Sequence, residues 1–176
     1  MKVRFWGVRG SIPVPGKVTA RYGGNTSCVE VRPRNGAPII IDAGTGLRRL
    51  GKSLMEEQFR EGKGKASILI SHTHWDHVQG LPFFPPLHRP EAKLHIVGPS
   101  QQGQTLEAAF DLFLCPPYFP VTLGQLAGTV TFEEATKDPI ELGAATVLCR
   151  DVPHVGPTLG FRITAGGRSI AYVSDH

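Results

Sequence analysis

The sequence predicts an α/β sandwich, with sheets carrying helices on their outer faces. Three observations predict it. Short β-rich runs dominate both ends of the 176-residue chain, and helix-periodic stretches are interspersed between them. Two runs, 38–42 and 67–71, carry the unbroken apolar residues of strands buried on both faces.

In chain order, 2–6, 27–32 and 38–42 read as strands. Leu47, Leu50, Leu54 and Met55 then recur at helical spacing as far as about Phe59, and Gly62-Lys63-Gly64-Lys65 is expected to end that helix. A strand at 67–71 follows, then one at 93–97, then a helix over 105–114 with Leu106, Phe110 and Phe113 on one side. Pro116-Pro117-Tyr118-Phe119-Pro120 cannot continue a helix and reads as a rigid aromatic loop. Strands at 129–133, 146–152, 159–164 and 169–173 complete the chain, the last two joined by a Gly166-Gly167 hairpin. Phe83, Phe84, Tyr118 and Phe119 are expected to pack in the core, with the wall of a substrate cleft as the alternative, and His88 and His95 to be structural.

Composition bounds the function. A chain of this length with 40% hydrophobic residues buries one core and reads as one domain. No apolar run approaches the roughly 20 residues of a membrane span, and the start lacks the apolar stretch of a signal peptide. The expected setting is therefore the cytoplasm, with no membrane partner. Cys28, Cys115 and Cys149 are odd in number and widely spaced, which suits buried reduced thiols better than disulfides or a thiolate zinc site. Lys and Arg exceed Asp and Glu by 19 to 15, giving a formal charge of +4. Arg4, Arg9, Lys17, Arg21, Arg32, Arg34 and Arg48 all precede residue 49. That bias favours a small anionic substrate such as a phosphate ester; it is too mild to imply nucleic acid, and does not exclude it.

The richest chemistry is His72-Thr73-His74-Trp75-Asp76-His77, placed where a buried strand should end. Imidazole and carboxylate are the donors that zinc, manganese and iron accept. Clustered imidazoles without a partner are costly to desolvate and repel one another when charged, whereas a cation takes their neutral lone pairs. Side chains two apart on an extended segment share a side, so His72 and His74 can face one metal. A helix starting near Trp75 would project Asp76 and His77 towards a neighbouring position. Near the N-terminus, Gly7 and Gly10 would let backbone amides approach an anion, and Arg9 and Ser11 would add substrate-binding donors.

The His-x-His-x-Asp-His hexapeptide after an apolar strand resembles the signature of the metallo-β-lactamase superfamily. Asp42-Ala43-Gly44-Thr45-Gly46 is similar to that superfamily's first motif, and Pro153-His154-Val155-Gly156 and Ser174-Asp175 follow in the order of its later ones. Two segments, 5–13 and 22–28, resemble the branch that holds phosphoribosyl cyclic phosphodiesterase-like proteins and tRNA 3′-processing endonucleases. The resemblance covers nearly the whole chain. It implies the superfamily's αββα sandwich and two divalent metal ions, zinc first, with manganese or iron as alternatives. His72, His74 and His154 would hold one ion. Asp76, His77 and a bridging Asp175 would hold the other, Asp42 would brace the ligand loop, and Asp76 would also act in catalysis by orienting the attacking hydroxide.

Members of that branch continue past the bridging aspartate, and this chain stops at His176. The expectation is a 1–176 domain lacking the usual C-terminal portion, its second half incomplete, with an exposed strand edge near 169–173. A second copy of the chain could supply the missing surface in a homodimer. The leading functional reading is a metal-dependent phosphodiesterase using a metal-bound hydroxide. Hydrolysis of a carbon ester (lactone, thioester or β-lactam) and a catalytically weak metal-binding module remain as alternatives.

Overall fold

A computed structural model describes residues 1–101 and 103–176. Its first sheet runs β1 (Lys2–Gly7), β2 (Cys28–Arg32), β3 (Ile39–Ile41), β4 (Lys63–Leu69), β5 (Glu91–Gly98) and β6 (Thr129–Glu134) in spatial as well as chain order. β1, β2 and β3 pair antiparallel; β3 to β6 pair parallel. The parallel part needs crossovers, and α1 (Gly46–Glu56), α2 (Trp75–Val78) and α3 (Leu106–Phe113) lie within them. The second sheet is an antiparallel meander of β7 (Ile140–Leu142), β8 (Ala145–Asp151), β9 (Leu159–Ala165) and β10 (Arg168–Tyr172).

Strand alternation divides the core in two. Ile40, Ile68, Ile70, Leu94 and Ile96 face the helices and meet Leu47, Leu50 and Leu54 of α1 and Phe110 of α3. Val31, Ile39, Ile41, Leu69 and Val97 face the other way and meet Val147, Cys149, Phe161 and Ile163 of the second sheet. The layers are therefore helix, sheet, sheet, and the predicted α/β sandwich is the fold observed. On the far side of the second sheet Arg162, Thr164, Ser169 and Ala171 are exposed, and β10 is that sheet's edge, as expected for residues 169–173. Among the described residues no helix is long and apolar enough to cross a membrane.

Four expectations need correction. The strand expected at 67–71 spans Lys63–Leu69, because its amides pair with β5 as far back as Lys63 and Glu91 while the lysine side chains stay in solvent. The three-residue β7 carried no periodic signal of its own and was not predicted. Of the aromatic group, Phe84 is buried, but Phe83 and Tyr118 are 58% and 80% exposed, and Phe119 packs half-buried, edge-on to Phe83. Cys28 and Cys149 are buried free thiols as expected; Cys115 is half-buried. His88 and His95 have structural partners, the Pro82 carbonyl and Glu133.

The C-terminal ends of β3 and β4 are brought together by backbone. Asp42 N–H donates to Leu69 O at 2.8 Å, Ala43 N–H to His77 O at 2.6 Å and Gly80 N–H to Ala43 O at 2.7 Å. This packing leaves no room for a side chain at position 80, where a Cβ would sit 2.0 Å from the Gly44 carbonyl oxygen. Gly80→Ala should cost about 2–3 kcal/mol by forcing these loops apart, read as a lower urea midpoint. Gly124→Ala, where a Cβ would meet nothing within 4 Å, should stay within about 0.5 kcal/mol of the parent.

Candidate metal centre

The residues singled out in the sequence come from four loops at one end of the sandwich. Asp42 follows β3, the 71–77 segment follows β4 and forms α2, His154 lies between β8 and β9, and Asp175 follows β10. Leu159 N–H donates to Ser71 O at 2.8 Å and thereby docks the start of β9, with the His154 loop before it, on the 71–77 segment.

His72, His74, His154 and Asp175 each offer one donor atom, and all four atoms lie within 4.8 Å of one another. His74 Nδ1 faces His154 Nε2 at 3.2 Å, and Asp175 Oδ2 stands 3.7 Å from His72 Nε2 and 3.8 Å from His154 Nε2. A second group adjoins the first through Asp175. His77 Nε2 lies 3.7 Å from the same Asp175 oxygen and 3.4 Å from Asp76 Oδ2. The structure thus brings together all six residues named from the sequence, with Asp175 between two sets.

Each buried histidine has one nitrogen engaged and the other turned inwards. His77 Nδ1 lies 2.8 Å from Asp42 Oδ2, and since a carboxylate only accepts, Nδ1 is the donor, which in the neutral ring leaves the Nε2 lone pair free. Ser71 Oγ lies 3.0 Å from His72 Nδ1, whereas His72 Nε2 is buried with no hydrogen-bond partner. A buried polar nitrogen without a partner is costly. Here it points at a carboxylate among other imidazole nitrogens, the donor set of a divalent transition ion. The residues present fit a metal.

Asp42 organises the group. It is fully buried at φ 61°, a left-handed conformation that aspartate tolerates better than most residues. Oδ1 accepts from Ser71 N–H at 2.8 Å; Oδ2 accepts from His77, from Tyr172 OH at 2.7 Å and from Ser27 Oγ at 3.2 Å. Burial by itself would raise the Asp42 pKa, but the hydrogen bond and charge of His77, with the Ser71 amide and Tyr172 hydroxyl, carry it below the usual value. Burial likewise pushes His77 down, and the Asp42 hydrogen bond and charge, then Asp76 and Asp175, bring it out above the ordinary imidazole. His72 is lowered to about 4, by burial first and next by the charge of His77, so it stays neutral across physiological pH.

The N-terminal loop meets the site at one backbone bond. Ser11, at φ 67°, donates its N–H to Asp76 Oδ2 at 2.8 Å, so this amide holds a carboxylate. Gly7 serves packing, since a Cβ there would lie 1.8 Å from the Thr26 carbonyl. Arg9 donates Nε to Ile12 O at 3.0 Å and lines a cleft of about 250 Å³ with His77, Tyr172, Ser174 and Asp175. Three of the other early cations are occupied elsewhere: Arg32 is paired with Glu30 and Glu57, and Arg4 and Arg21 stack over Trp6 and Tyr22. Tyr172 went unpredicted in this role. A tyrosine in a β-rich run reads as sheet propensity, and its position two residues before a hydroxyl-aspartate pair was the only available signal.

A family model described as a beta-lactamase superfamily domain matches residues 38–176. An uncharacterised protein of Mycobacterium tuberculosis is 28% identical over 188 residues, covering 99% of this chain and 60% of that protein. A ribonuclease Z of Natronomonas pharaonis is 28% identical over 171 residues, covering 96% and 49%. The chain therefore spans about half to three-fifths of the length of these relatives. Among solved structures, the metallo-β-lactamase fold protein YhfI from Bacillus subtilis superposes with a TM-score of 0.65 at 17% identity, covering 97% of this chain and 61% of that one. Zinc-bound PqqB from Methylobacterium extorquens gives 0.64 at 19%, covering 97% and 61%. A diphosphatase of the PhnP family gives 0.61 at 21%, covering 92% and 61%. At these identities the structures speak for the fold.

Tyr172→Phe removes a hydroxyl that touches both Asp42 and Ser27, the latter at 2.8 Å. It should lower stability by about 1–2 kcal/mol in denaturant unfolding. Exposed Tyr118→Phe should be within about 0.5 kcal/mol of the parent.

Proposed function

The chain belongs to the β-lactamase superfamily, and from that premise we propose that it is a metal-dependent phosphodiesterase acting on a small anionic phosphate ester. The family's members are generally hydrolases. The observation that carries the proposal is the convergence of two donor sets on the shared Asp175, beside a cleft that presents Arg9.

In this reading His72, His74, His154 and Asp175 hold one divalent cation, and Asp76, His77 and Asp175 hold a second. Zinc is the first choice, since these nitrogen and oxygen donors suit it and the related PqqB structure is a zinc-bound one. When bound, such a pair acidifies water and offsets charge on phosphoryl oxygens.

The chain's own residues prepare that chemistry. Asp42 and Ser71 fix the ring orientations of His77 and His72, leaving each Nε2 turned inward. The Ser11 amide fixes one oxygen of Asp76, and the other is the acceptor that orients the attacking water. Arg9 keeps its terminal guanidinium nitrogens for the phosphate while its Nε stays on the Ile12 carbonyl. The choice of phosphorus over carbon rests on Arg9 and on the names of relatives, a ribonuclease Z and a PhnP-family diphosphatase.

Protein loaded with zinc or manganese should cleave bis(4-nitrophenyl) phosphate, lose that activity to a chelator and regain it on adding metal back. Asp76→Ala should lower turnover by about 100-fold or more. Lactone hydrolysis without diester cleavage would assign the carbon-ester chemistry instead. Full metal loading with no turnover of either would leave a metal-binding module.

A further inference from the structure

The face of the first sheet that meets the second sheet is apolar only at its upper end. In β4, β5 and β6 the residues on that face form rows across the parallel strands. Leu69 is level with Val97 and Glu133, Ser67 with His95 and Thr131, and Lys65 with Lys93 and Thr129. Strands buried on both faces should be apolar throughout. Here the lower two rows are hydroxyls, an imidazole and two ammonium groups. The β7–β8 hairpin stands off them and leaves a cleft of about 440 Å³, floored by Ile39 and walled by Leu142 and Glu141.

Lys65 and Lys93 are the unusual pair. In-register neighbours on adjacent strands stand about 4.8 Å apart at the backbone, and like charges so placed repel. One row lower, Lys63 is level with Glu91, the arrangement that attraction favours. Among the described residues neither Lys65 nor Lys93 has an ion pair. Of the acids nearby, Glu133 holds His95 at 3.0 Å, while Glu141 accepts from the Thr146 hydroxyl at 3.0 Å and stands as a carboxylate in the opposite wall. Two unpaired cations, the hydroxyls of Ser67, Thr129 and Thr131, and an apolar floor therefore share one cleft of ligand size.

We propose that this cleft binds a small organic anion. A carboxylate or phosphate head sits between the Lys65 and Lys93 ammonium groups, takes hydrogen bonds from the neighbouring hydroxyls, and leaves its apolar body on Ile39 and Leu142. The site is separate from the metal centre, since Lys65 lies at the opposite end of β4 from His72, roughly 20 Å along the strand.

Amide chemical-shift mapping of the metal-loaded protein tests this with two probes, phenyl phosphate and benzoate. At least one should give saturable shifts at residues 65–67, 93–95 and 129–131; which probe does so distinguishes a phosphate head from a carboxylate. The paired substitution Lys65→Met and Lys93→Met keeps the aliphatic stems and should weaken this binding at least tenfold. Phenyl phosphate shifts at residues 72–77 should persist in that variant and report that it is folded. Absence of cleft shifts with both probes, or equal affinity in the paired variant, overturns the proposal.

Discussion

A buried carboxylate with four donors governs this molecule. Asp42 directly follows β3, and its two oxygens take hydrogen bonds from the segment after β4, from α2, from Ser27 just before β2 and from β10. An isolated buried carboxylate would cost several kcal/mol, so the fold is stable only when all these segments arrive together. One interaction thereby joins the two sheets and sets the direction in which His77 presents its free nitrogen. The same constraint explains the positive φ at Asp42 and the glycines beside it, because donors on four segments can reach one carboxylate only if the backbones nearly touch.

Rigid strands supply the precision and loops supply the chemistry. Asp42 and the 72–77 donors follow strand ends locked by buried isoleucines and leucines on both faces of the first sheet, while His154 and Asp175 follow strands of the second. The opposite end of that sheet is built differently, with polar rows and two adjacent lysines where a closed sandwich would bury hydrocarbon. A single sheet thus carries two chemically distinct ends.

Much of this was legible in the residues. The His72–His77 hexapeptide declared itself because three imidazoles and a carboxylate at a strand end have few other physical uses. Asp42, His154 and Asp175 were legible only through their order and flanking strands, since each alone reads as an ordinary turn or strand-end residue. The amphipathic spacing of Leu47, Leu50 and Leu54 gave α1 directly. Tyr172 was hidden because its hydroxyl acts across 130 residues of chain, and no local pattern encodes such a contact. Ser11 was noticed as a substrate donor, whereas the contact the structure shows is its amide, turned by a positive φ, on the Asp76 carboxylate, which no local pattern announces. The lysine rows were invisible until register aligned them, for Lys65 and Lys93 lie on different strands and each looks like a solvated surface charge.

The most direct test of the account is a metal titration of the parent and of Asp42→Asn, resolving two sites by competition with a chromophoric chelator. Asparagine keeps an oxygen for the Ser71 amide and loses the charge that holds His77. The account predicts two sites in the parent. In the variant, one is weakened by about 10–100-fold while the other changes by no more than about threefold. Two sites of undiminished affinity in Asp42→Asn would contradict the claim that this carboxylate organises the centre.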